Sequence, residues 1–395
     1  MRKNPAGLNA NAAIITIITV ETMPRNHTNR LELSLPNFRH NYGYYRSLLR
    51  PSTKLLVLVK ANAYGAGAVE MGRLLEDAGA DYLAVATVGE GMELRLAGIR
   101  TPVLVLNPGT DSFDGIIEYG LEPALPDVES VRILSETLER LEMDSYPVHL
   151  ALDTGMHRLG FMSNELEALL SCLSRCPRVK VRSVYSHLCV ADSPSPDDDE
   201  YTLRQLGTFS RNAGIIDGAL GYHPLWHVLN TAGIERFPEY QFDMVRLGIG
   251  IYGVDPVPGT GRGLLPVSSL KVEVLQVKEL AAGDGEIGYG RHGRIAPAGT
   301  RIATIRIGYA DGINRHLGGG NASFLVNGHR APTIGSICMD SCMLDVTGID
   351  VRAGDEVTVF GENPSVRELA RILDTIPYEI MTSVPRRIPR VIVDK

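Results

Sequence analysis

The feature that most constrains the fold is an alternation of short β-rich runs with helix-patterned segments, which begins at Leu55. Eight runs are typical of strands: Leu55–Val59, Tyr82–Ala86, Val103–Leu106, Glu122–Leu125, Val148–Leu152, Val181–Ser186, Trp226–Leu229 and Met244–Arg246. Helical spacing occurs between most of them, in Ala68–Ala78, Gly89–Ala97, Val128–Glu142, Asn164–Ser174 and Asp198–Ala213. This alternation predicts an α/β fold, a closed parallel (β/α)8 barrel of TIM type. The alternative is an open doubly wound sheet, but no Gly-x-Gly-x-x-Gly turn follows the first strand.

The pattern changes after residue 265, where a second, mainly β domain is predicted over residues 266–395. Its strand-like runs are Val272–Leu280, Thr300–Ile307, Phe324–Val326, Cys342–Val346 and Glu356–Phe360, and only Val366–Leu373 has clear helical spacing. Asn327-Gly328 is a hairpin signal. Residues 30–265 form the predicted barrel and residues 1–29 a mobile tail. The alternating segment at residues 30–35 is expected to join the sheet of the second domain.

Composition and charge exclude several classes of protein. The chain carries 39 Lys and Arg against 46 Asp and Glu, a net charge of -7, so no nucleic-acid partner is predicted. The apolar run Ala12–Val20 is shorter than the about 20 residues that span a bilayer, so no membrane partner is predicted either. No small-residue cleavage site follows this run, and a cytoplasmic enzyme is expected.

The cysteines indicate reduced thiols and no metal site. There are five, Cys172, Cys176, Cys189, Cys338 and Cys342, an odd and sparse set for a chain of this length. Two pairs have the spacing Cys-x-x-x-Cys, which is one residue wider than the usual half-site of a zinc ribbon.

Polar residues follow several predicted strands at the end where barrel enzymes place their chemistry. Lys60 directly follows the first strand, and His187 follows the sixth. A partly desolvated lysine has a lowered pKa and becomes a nucleophile toward an aldehyde cofactor. The phosphate of such a cofactor would suit the backbone after the seventh and eighth strands, where Asn230, Thr231, Gly248 and Ile249 lie.

Several motifs along the chain resemble those of alanine racemases. Val59-Lys60-Ala61-Asn62-Ala63-Tyr64-Gly65 is similar to the family's cofactor-lysine motif, and the similarity extends over most of residues 30–395. Further matching segments are residues 152–160, Ser186-His187-Leu188, Arg246 to Gly253, residues 337–340 and Pro377-Tyr378-Glu379. The resemblance implies a barrel that binds pyridoxal 5'-phosphate, a β domain and a head-to-tail homodimer with shared active sites. It also implies a supply of D-alanine for peptidoglycan.

The resemblance assigns two opposed bases to the reaction. Lys60 resembles the Schiff-base lysine, which is also the base on the D side of the substrate. Tyr289 resembles the base on the L side, which the partner subunit supplies. One base removes the α-proton and the other returns a proton to the opposite face. Arg158 resembles the arginine that contacts this tyrosine and the substrate carboxylate.

Other positions carry over from the same motifs. Arg246 resembles the arginine at the cofactor's pyridine nitrogen, His187 the ring-contacting histidine and His227 the group that holds Arg246. The expected phosphate-binding residues are Tyr64, Tyr378, Thr231, Gly248 and Ile249, with Asn230 beside them. Substrate contacts from the partner are expected from Met339 and Asp340, and entry-channel positions from Tyr309 and Asp192.

Four positions depart from the family pattern. Ala151 stands where many bacterial members have a carbamylated lysine that orients the arginine corresponding to Arg158. Ser336 replaces a frequent arginine that narrows the entrance, Ala66 replaces a frequent histidine, and Thr231 replaces a frequent serine. None of these changes removes a catalytic group, so they bear on substrate width and turnover.

Three alternatives stay open at this point. One is a racemase of broader range that accepts serine or larger side chains. A second is a barrel-type pyridoxal-phosphate amino-acid decarboxylase, whose acidic residue at the pyridine nitrogen would stand where Arg246 does, and whose glycine-rich phosphate loop resembles Gly318-Gly319-Gly320. The third is a single-domain cofactor carrier, which lacks a β domain and an opposing tyrosine.

Overall fold

The computed structural model describes residues 29–257 and 263–394, which contain two large sheets and one short hairpin. The strands are β1 Arg30–Ser34, β2 Lys54–Leu58, β3 Tyr82–Val85, β4 Val103–Val105, β5 Glu122–Leu125, β6 Tyr146–Ala151, β7 Val179–Tyr185, β8 Leu225–His227, β9 Met244–Leu247, β10 Ser268–Leu280, β11 Glu286–Ile287, β12 Gly293–Arg294, β13 Thr300–Ile305, β14 Ser323–Val326, β15 His329–Ile334, β16 Cys342–Asp345, β17 Glu356–Phe360 and β18 Arg390–Val393. Of the predicted tail, residues 1–29, only Asn29 lies among the described residues.

Strands β2 to β9 form a closed parallel barrel. Seven parallel pairings link β9-β2-β3-β4-β5-β6-β7-β8. The ring closes between β8 and β9, where Arg246 N donates to Leu229 O at 2.9 Å and Asp243 N donates to Trp226 O at 3.2 Å. The predicted fold class is confirmed, because each of the eight expected runs contributes a strand to this ring.

Helices cover the outside of the barrel. They are Leu35–Ser47, Ala68–Asp77, Val88–Leu96, Phe113–Glu118, Val128–Arg140, Leu166–Arg175, Pro196–Leu220 and Thr231–Arg236. The helix at Pro196 runs past its predicted end at Ala213, because Ile216 supplies another buried position and Gly221, at φ 72°, provides the C-terminal cap. Within residues 29–257 and 263–394, no helix is both long and apolar enough to cross a membrane.

The second large sheet has the order β13-β16-β15-β14-β17-β10-β1-β18. Strand β1 pairs antiparallel with β10 and parallel with β18. Asn327-Gly328 joins β14 to β15, and its φ angles of 48° and 79° are those of a tight hairpin turn. Strand β15 was not predicted from the sequence, because His329 and Arg330 are polar, exposed residues and Pro332 interrupts the apolar pattern. The helices here are Val366–Ile372 and Pro377–Thr382.

Candidate active site

Lys60 follows β2 at the start of an unusual turn. Ala61, Asn62, Ala63 and Tyr64 are all left-handed, with φ between 52° and 53°. This conformation costs L-residues roughly 1–2 kcal/mol each, so the surroundings have to enforce it. Gly65 ends the turn against the chain near Met381, where an added Cβ would lie 2.0 Å from the Met381 carbonyl oxygen.

Glu90, in the helix Val88–Leu96 that follows β3, holds this turn. Its carboxylate accepts hydrogen bonds from the backbone N–H groups of Ala61 at 2.6 Å, Ala86 at 2.8 Å and Thr87 at 3.2 Å. The side chain therefore joins the turn after β2 to the segment after β3 and stabilises the position of Lys60.

The turn opens into a cavity of about 580 Å³ at the carboxyl ends of the barrel strands. Eleven of the predicted site residues line it: Lys60, Tyr64, Arg158, His187, Asp192, Asn230, Thr231, Arg246, Gly248, Ile249 and Tyr378. Arg246 and His187 come from the barrel side of the cavity. Tyr378 comes from the helix Pro377–Thr382, which the sequence pattern did not reveal.

Charge and burial set the protonation of the central residues. Burial, with Arg158 and Arg246 nearby, lowers the pKa of Lys60. Burial and the charges of Arg246, Arg158 and Lys60 lower the pKa of His187 to about 3. His187 is therefore neutral near pH 7, and its Nδ1 lies 3.2 Å from Arg246 Nη2 as an acceptor.

Arg246 is buried and fixed on nearly every side. Nη1 donates to His227 Nδ1 at 3.0 Å and to the His227 carbonyl at 2.9 Å, and Nη2 donates to the carbonyls of Ser186 and Val228 at 2.5 and 3.1 Å. Burial lowers its pKa to about 10, so the guanidinium stays charged at neutral pH. His227 does not line the cavity, and its Nδ1 accepts the hydrogen bond from Arg246 Nη1 behind the cavity wall.

Polar groups gather at one end of the cavity around Gly248. Its N–H donates to Thr231 Oγ1 at 2.8 Å. A Cβ at this glycine would lie 3.0 Å from the Tyr64 hydroxyl and 3.5 Å from Thr231 Oγ1. The Tyr64 and Tyr378 rings are 5.7 Å apart, centroid to centroid. A side chain at position 248 would crowd the Tyr64 hydroxyl, so the glycine keeps this cradle of hydroxyls and backbone open.

Arg158 is exposed at the mouth of the cavity. Among the described residues, no hydrogen bond or ion pair reaches its guanidinium, and the buried Ala151 offers none. Asp153, the nearest acidic residue along the chain, is engaged with His157, its Oδ2 lying 3.1 Å from His157 Nδ1. The departure at Ala151 therefore leaves Arg158 without an intrachain anchor in the part of the chain that the structure describes.

Four other predicted residues lie away from the cavity. Tyr289 is 72% exposed, Met339 54% and Tyr309 44%, while Asp340 pairs with Arg387 at 2.9 Å. These residues share one surface of the β-rich region. Ser336 Oγ donates to the Tyr289 carbonyl at 3.2 Å, and Tyr309 N donates to the Cys338 carbonyl at 2.9 Å.

Sequence reasoning missed several residues of the cavity wall. Tyr185 lies beneath Arg246, whose guanidinium carbon is 5.4 Å from the ring centroid, and it stacks on His227 at 5.2 Å. Asn107 and Arg367 also line the cavity. Tyr185 ends β7 directly before Ser186-His187, so its place at a strand end was the available signal.

Comparison with known proteins assigns the family. Two family models match, the alanine racemase N-terminal domain over residues 33–256 and the alanine racemase C-terminal domain over residues 267–392. The chain belongs to the alanine racemase family. A curated alanine racemase from Nostoc sp. is 37% identical over 371 residues, covering 91% of this chain and 95% of the relative. One from Sorangium cellulosum is 38% identical over 380 residues, covering 91% and 98%.

Solved alanine racemases have the same fold. The structure from Clostridium difficile 630 matches with a TM-score of 0.87 and 32% identity, covering 93% of this chain and 96% of that one. The structure from Bacillus anthracis with bound L-Ala-P matches with a TM-score of 0.85 and 30% identity, covering 94% and 97%. The chain is therefore an enzyme of the alanine racemase family. Gly318–Gly320, the loop that resembled a decarboxylase phosphate loop, forms a turn that does not line the cavity.

Proposed function

We propose that the chain is a pyridoxal-phosphate-dependent racemase that interconverts L- and D-alanine, with each active site shared by two subunits of a homodimer. The observation that carries the proposal is the convergence of Lys60, Arg246 and His187 in one cavity. We place the reaction in the cytoplasm, where it would supply D-alanine for peptidoglycan.

The cavity suits the cofactor in its donor set. When bound, pyridoxal phosphate supplies an aldehyde that bonds to an amino group and a ring that withdraws electrons from the substrate α-carbon. The hydroxyls of Tyr64, Tyr378 and Thr231, with the open backbone at Gly248 and Ile249, would hold the phosphate. Asn230 caps the helix Thr231–Arg236 by accepting from Gly233 N at 3.0 Å, which orients that wall of the cradle.

Arg246 would donate a hydrogen bond to the pyridine nitrogen. A guanidinium has no lone pair to accept a proton and stays charged, so the ring nitrogen facing it stays unprotonated. A ring held in this way would be a weaker electron sink, so negative charge would stay at the substrate α-carbon. Reprotonation at that carbon would then be favoured over transfer of the amino group. His187, held neutral, would face the ring without adding charge.

Lys60 would both anchor the cofactor and act as the D-side base. Its lowered pKa increases the fraction of neutral amine near pH 7, the form that attacks an aldehyde and accepts the α-proton. The left-handed turn after Lys60 and its hold by Glu90 fix the direction from which the amine approaches.

Glu90→Gln is expected to loosen this turn. A glutamine side chain retains one carbonyl acceptor and presents an NH2 group to backbone donors that Glu90 now satisfies. Loss of a hydrogen bond to a charged group costs about 1.5–3 kcal/mol, so pyridoxal phosphate should bind about tenfold or more weakly. Titration of the apoprotein with cofactor, followed by absorbance, measures this change.

The matched control for that change is Glu93→Gln on the same helix. Glu93 pairs with Arg386 at 2.6 Å and does not contact the turn. Cofactor affinity should be unaltered in this variant. Equal affinities in the Glu90 and Glu93 variants would show that the Glu90 contacts do not position Lys60.

Tyr289 would act on the L side from the partner subunit. It is 72% exposed in the single chain, and its surface neighbours Met339 and Tyr309 are exposed as well. An exposed cluster of two tyrosines and a methionine on one surface is suited to a subunit interface. Met339 and Asp340 would border the substrate from the same partner segment, and Tyr309 would line the entrance with Asp192.

The free position of Arg158 bears on substrate range. We assign Arg158 to the substrate carboxylate and to the contact with Tyr289. With no anchor at Ala151, it would reach its working position only once the partner and the substrate are bound. Ser336, smaller than the frequent arginine, would widen the entrance and admit serine as a slower substrate.

The test is incubation of the purified protein with pyridoxal phosphate and single L-amino acids in heavy water. L-Alanine is expected to yield D-alanine that carries deuterium at the α-carbon, and L-serine should react more slowly. Chiral chromatography and mass spectrometry follow both. Release of carbon dioxide and an amine would instead identify a decarboxylase, and an absence of both exchange and enantiomer would refute racemisation.

A further inference from the structure

A belt of polar side chains crosses the interior of the barrel behind Arg246. It takes one residue from each of five neighbouring strands: Glu122 of β5, His149 of β6, Ser183 of β7, His227 of β8 and Arg246 of β9. His149, Ser183 and His227 are fully buried, at 0% exposure, and Arg246 is 4% exposed. Burial of so many polar groups is costly unless they are satisfied together, so the belt has to act as one network.

Each member contacts the next at hydrogen-bond distance. Arg246 Nη1 lies 3.0 Å from His227 Nδ1, and His227 Nε2 lies 2.8 Å from Ser183 Oγ. Ser183 Oγ lies 2.5 Å from His149 Nδ1, and His149 Nε2 lies 2.8 Å from a carboxylate oxygen of Glu122.

The two ends determine where every proton lies. The guanidinium can only donate, so His227 accepts at Nδ1 and carries its proton on Nε2 toward Ser183. The carboxylate can only accept, so His149 carries a proton on Nε2 and offers Nδ1 to the Ser183 hydroxyl. A doubly protonated His149 would leave the buried Ser183 proton without an acceptor among the described residues.

The charges at the ends agree with this assignment. Burial and the charge of Arg246 lower the pKa of His227 well below its usual value, so this histidine is neutral. Burial acts to raise the pKa of Glu122, but the hydrogen bonds from His149 and Tyr82 and the charge of Arg182 act to lower it, and the carboxylate stays ionised. The belt thus has an anion at β5, a cation at β9 and neutral groups between them.

We propose that three residues position Arg246: Glu122, His149 and Ser183. Together they fix the tautomer of His227, and His227 in that tautomer holds the guanidinium of Arg246 toward the cofactor. This inference rests on the proposed function, and in particular on the place of Arg246 at the pyridine nitrogen. If a hydrogen bond of the belt is lost, His227 is free to carry its proton on Nδ1. That N–H would then face an N–H of Arg246, so two donors would meet with no acceptor between them. The guanidinium would then move, and the ring nitrogen could become protonated.

Loss of the belt is therefore expected to change the partition between racemised alanine and pyruvate, in addition to lowering the rate. A protonated ring is a stronger electron sink, so more turnovers would end with the amino group on the cofactor. Each such event converts one alanine and one pyridoxal phosphate into one pyruvate and one pyridoxamine phosphate, with no net gain or loss of water. The ratio of pyruvate formed to alanine racemised therefore reports on Arg246, and a merely structural role of the belt would not raise it.

The experiment compares Ser183→Ala, Ser183→Thr, Glu122→Gln and the double variant Glu122→Gln with Ser183→Ala. The alanine and glutamine variants are expected to raise the pyruvate ratio about tenfold, a shift of about 1.4 kcal/mol in partition. Threonine keeps the hydroxyl and should restore the wild-type ratio. The pyruvate ratio of the double variant should not exceed that of the more affected single variant, because the loss of the Ser183 hydroxyl already interrupts the belt. Ser268→Ala, the same change at a buried serine outside the barrel strands, is the matched control.

Two results would overturn the proposal. One is an unchanged pyruvate ratio in Ser183→Ala, and the other is full additivity in the double variant.

A second measurement needs no variant activity: ¹⁵N-histidine NMR of the wild-type apoprotein, with signals assigned by single His→Gln substitutions. Nε2–H forms are expected for both His149 and His227, and an Nδ1–H form of His227 contradicts the inference. Failure of wild type to racemise alanine would refute the proposed function and leave this NMR test standing.

Discussion

Lys60→Ala is expected to abolish racemisation and the visible absorption band of lysine-bound pyridoxal phosphate. The substitution removes both the amine that bonds to the aldehyde and the proposed D-side base, so the loss in kcat should reach about ten-thousandfold or more. The cavity itself should remain, because the phosphate cradle around Gly248 and the Arg246 contacts do not involve Lys60. Absorption spectra of the loaded protein and chiral assays measure the two effects.

Lys54→Ala is the matched control, because Lys54 lies at the other end of the same strand. It is 44% exposed and only 3.6 Å from Asp81 Oδ1, a surface pair of small energetic weight. The Lys54→Ala variant should have the same visible absorption band and the same turnover as wild type. Persistence of the visible band in the Lys60 variant would remove the lysine assignment, provided that thermal unfolding shows both variants folded.

The barrel was predictable because most of its parallel strands are buried on both faces. Leu55, Val57 and Val103 belong to short continuous apolar runs, which between helical segments specify a strand whatever its partners are. The hairpin strand β15 was not predictable in this way. His329 and Arg330 face solvent there, and the strand is stabilised by pairing with β14 and β16 rather than by its own pattern.

The candidate site divides in a similar manner. Lys60, Arg246 and His187 stand at strand ends within recognisable motifs, so their meeting in one cavity followed from the barrel. The roles of Glu122 and Ser183 could not be predicted in this way. Each is a single polar residue in a β-rich run and is readily interpreted as an interruption of the apolar pattern. Only closure of the ring between β8 and β9 brings the strands carrying them into one belt with Arg246.

Tyr289→Phe is expected to impair the two directions of the reaction unequally. The substitution removes the hydroxyl that would exchange a proton on the L side and leaves Lys60 intact. Exchange of the α-proton of L-alanine with heavy water should fall about a thousandfold, while exchange from D-alanine falls far less. Tyr222→Phe, at an exposed tyrosine whose hydroxyl contacts the Val181 carbonyl at 3.1 Å, is the control and should exchange both enantiomers normally. Equal losses from both enantiomers would rule out Tyr289 as the L-side base.

Mixing the two inactive variants tests whether Tyr289 works across the subunit interface. In a dimer of one Lys60→Ala chain and one Tyr289→Phe chain, a shared site combines the intact lysine of one subunit with the intact tyrosine of the other. Random exchange makes half of the dimers hybrid, and each hybrid has one complete site, so recovery of about a quarter of wild-type activity is expected. If both residues served the same subunit's site, every site in the hybrid would lack one of them. Exchange demonstrated by mass spectrometry without recovered activity would therefore place Tyr289 outside the partner's site.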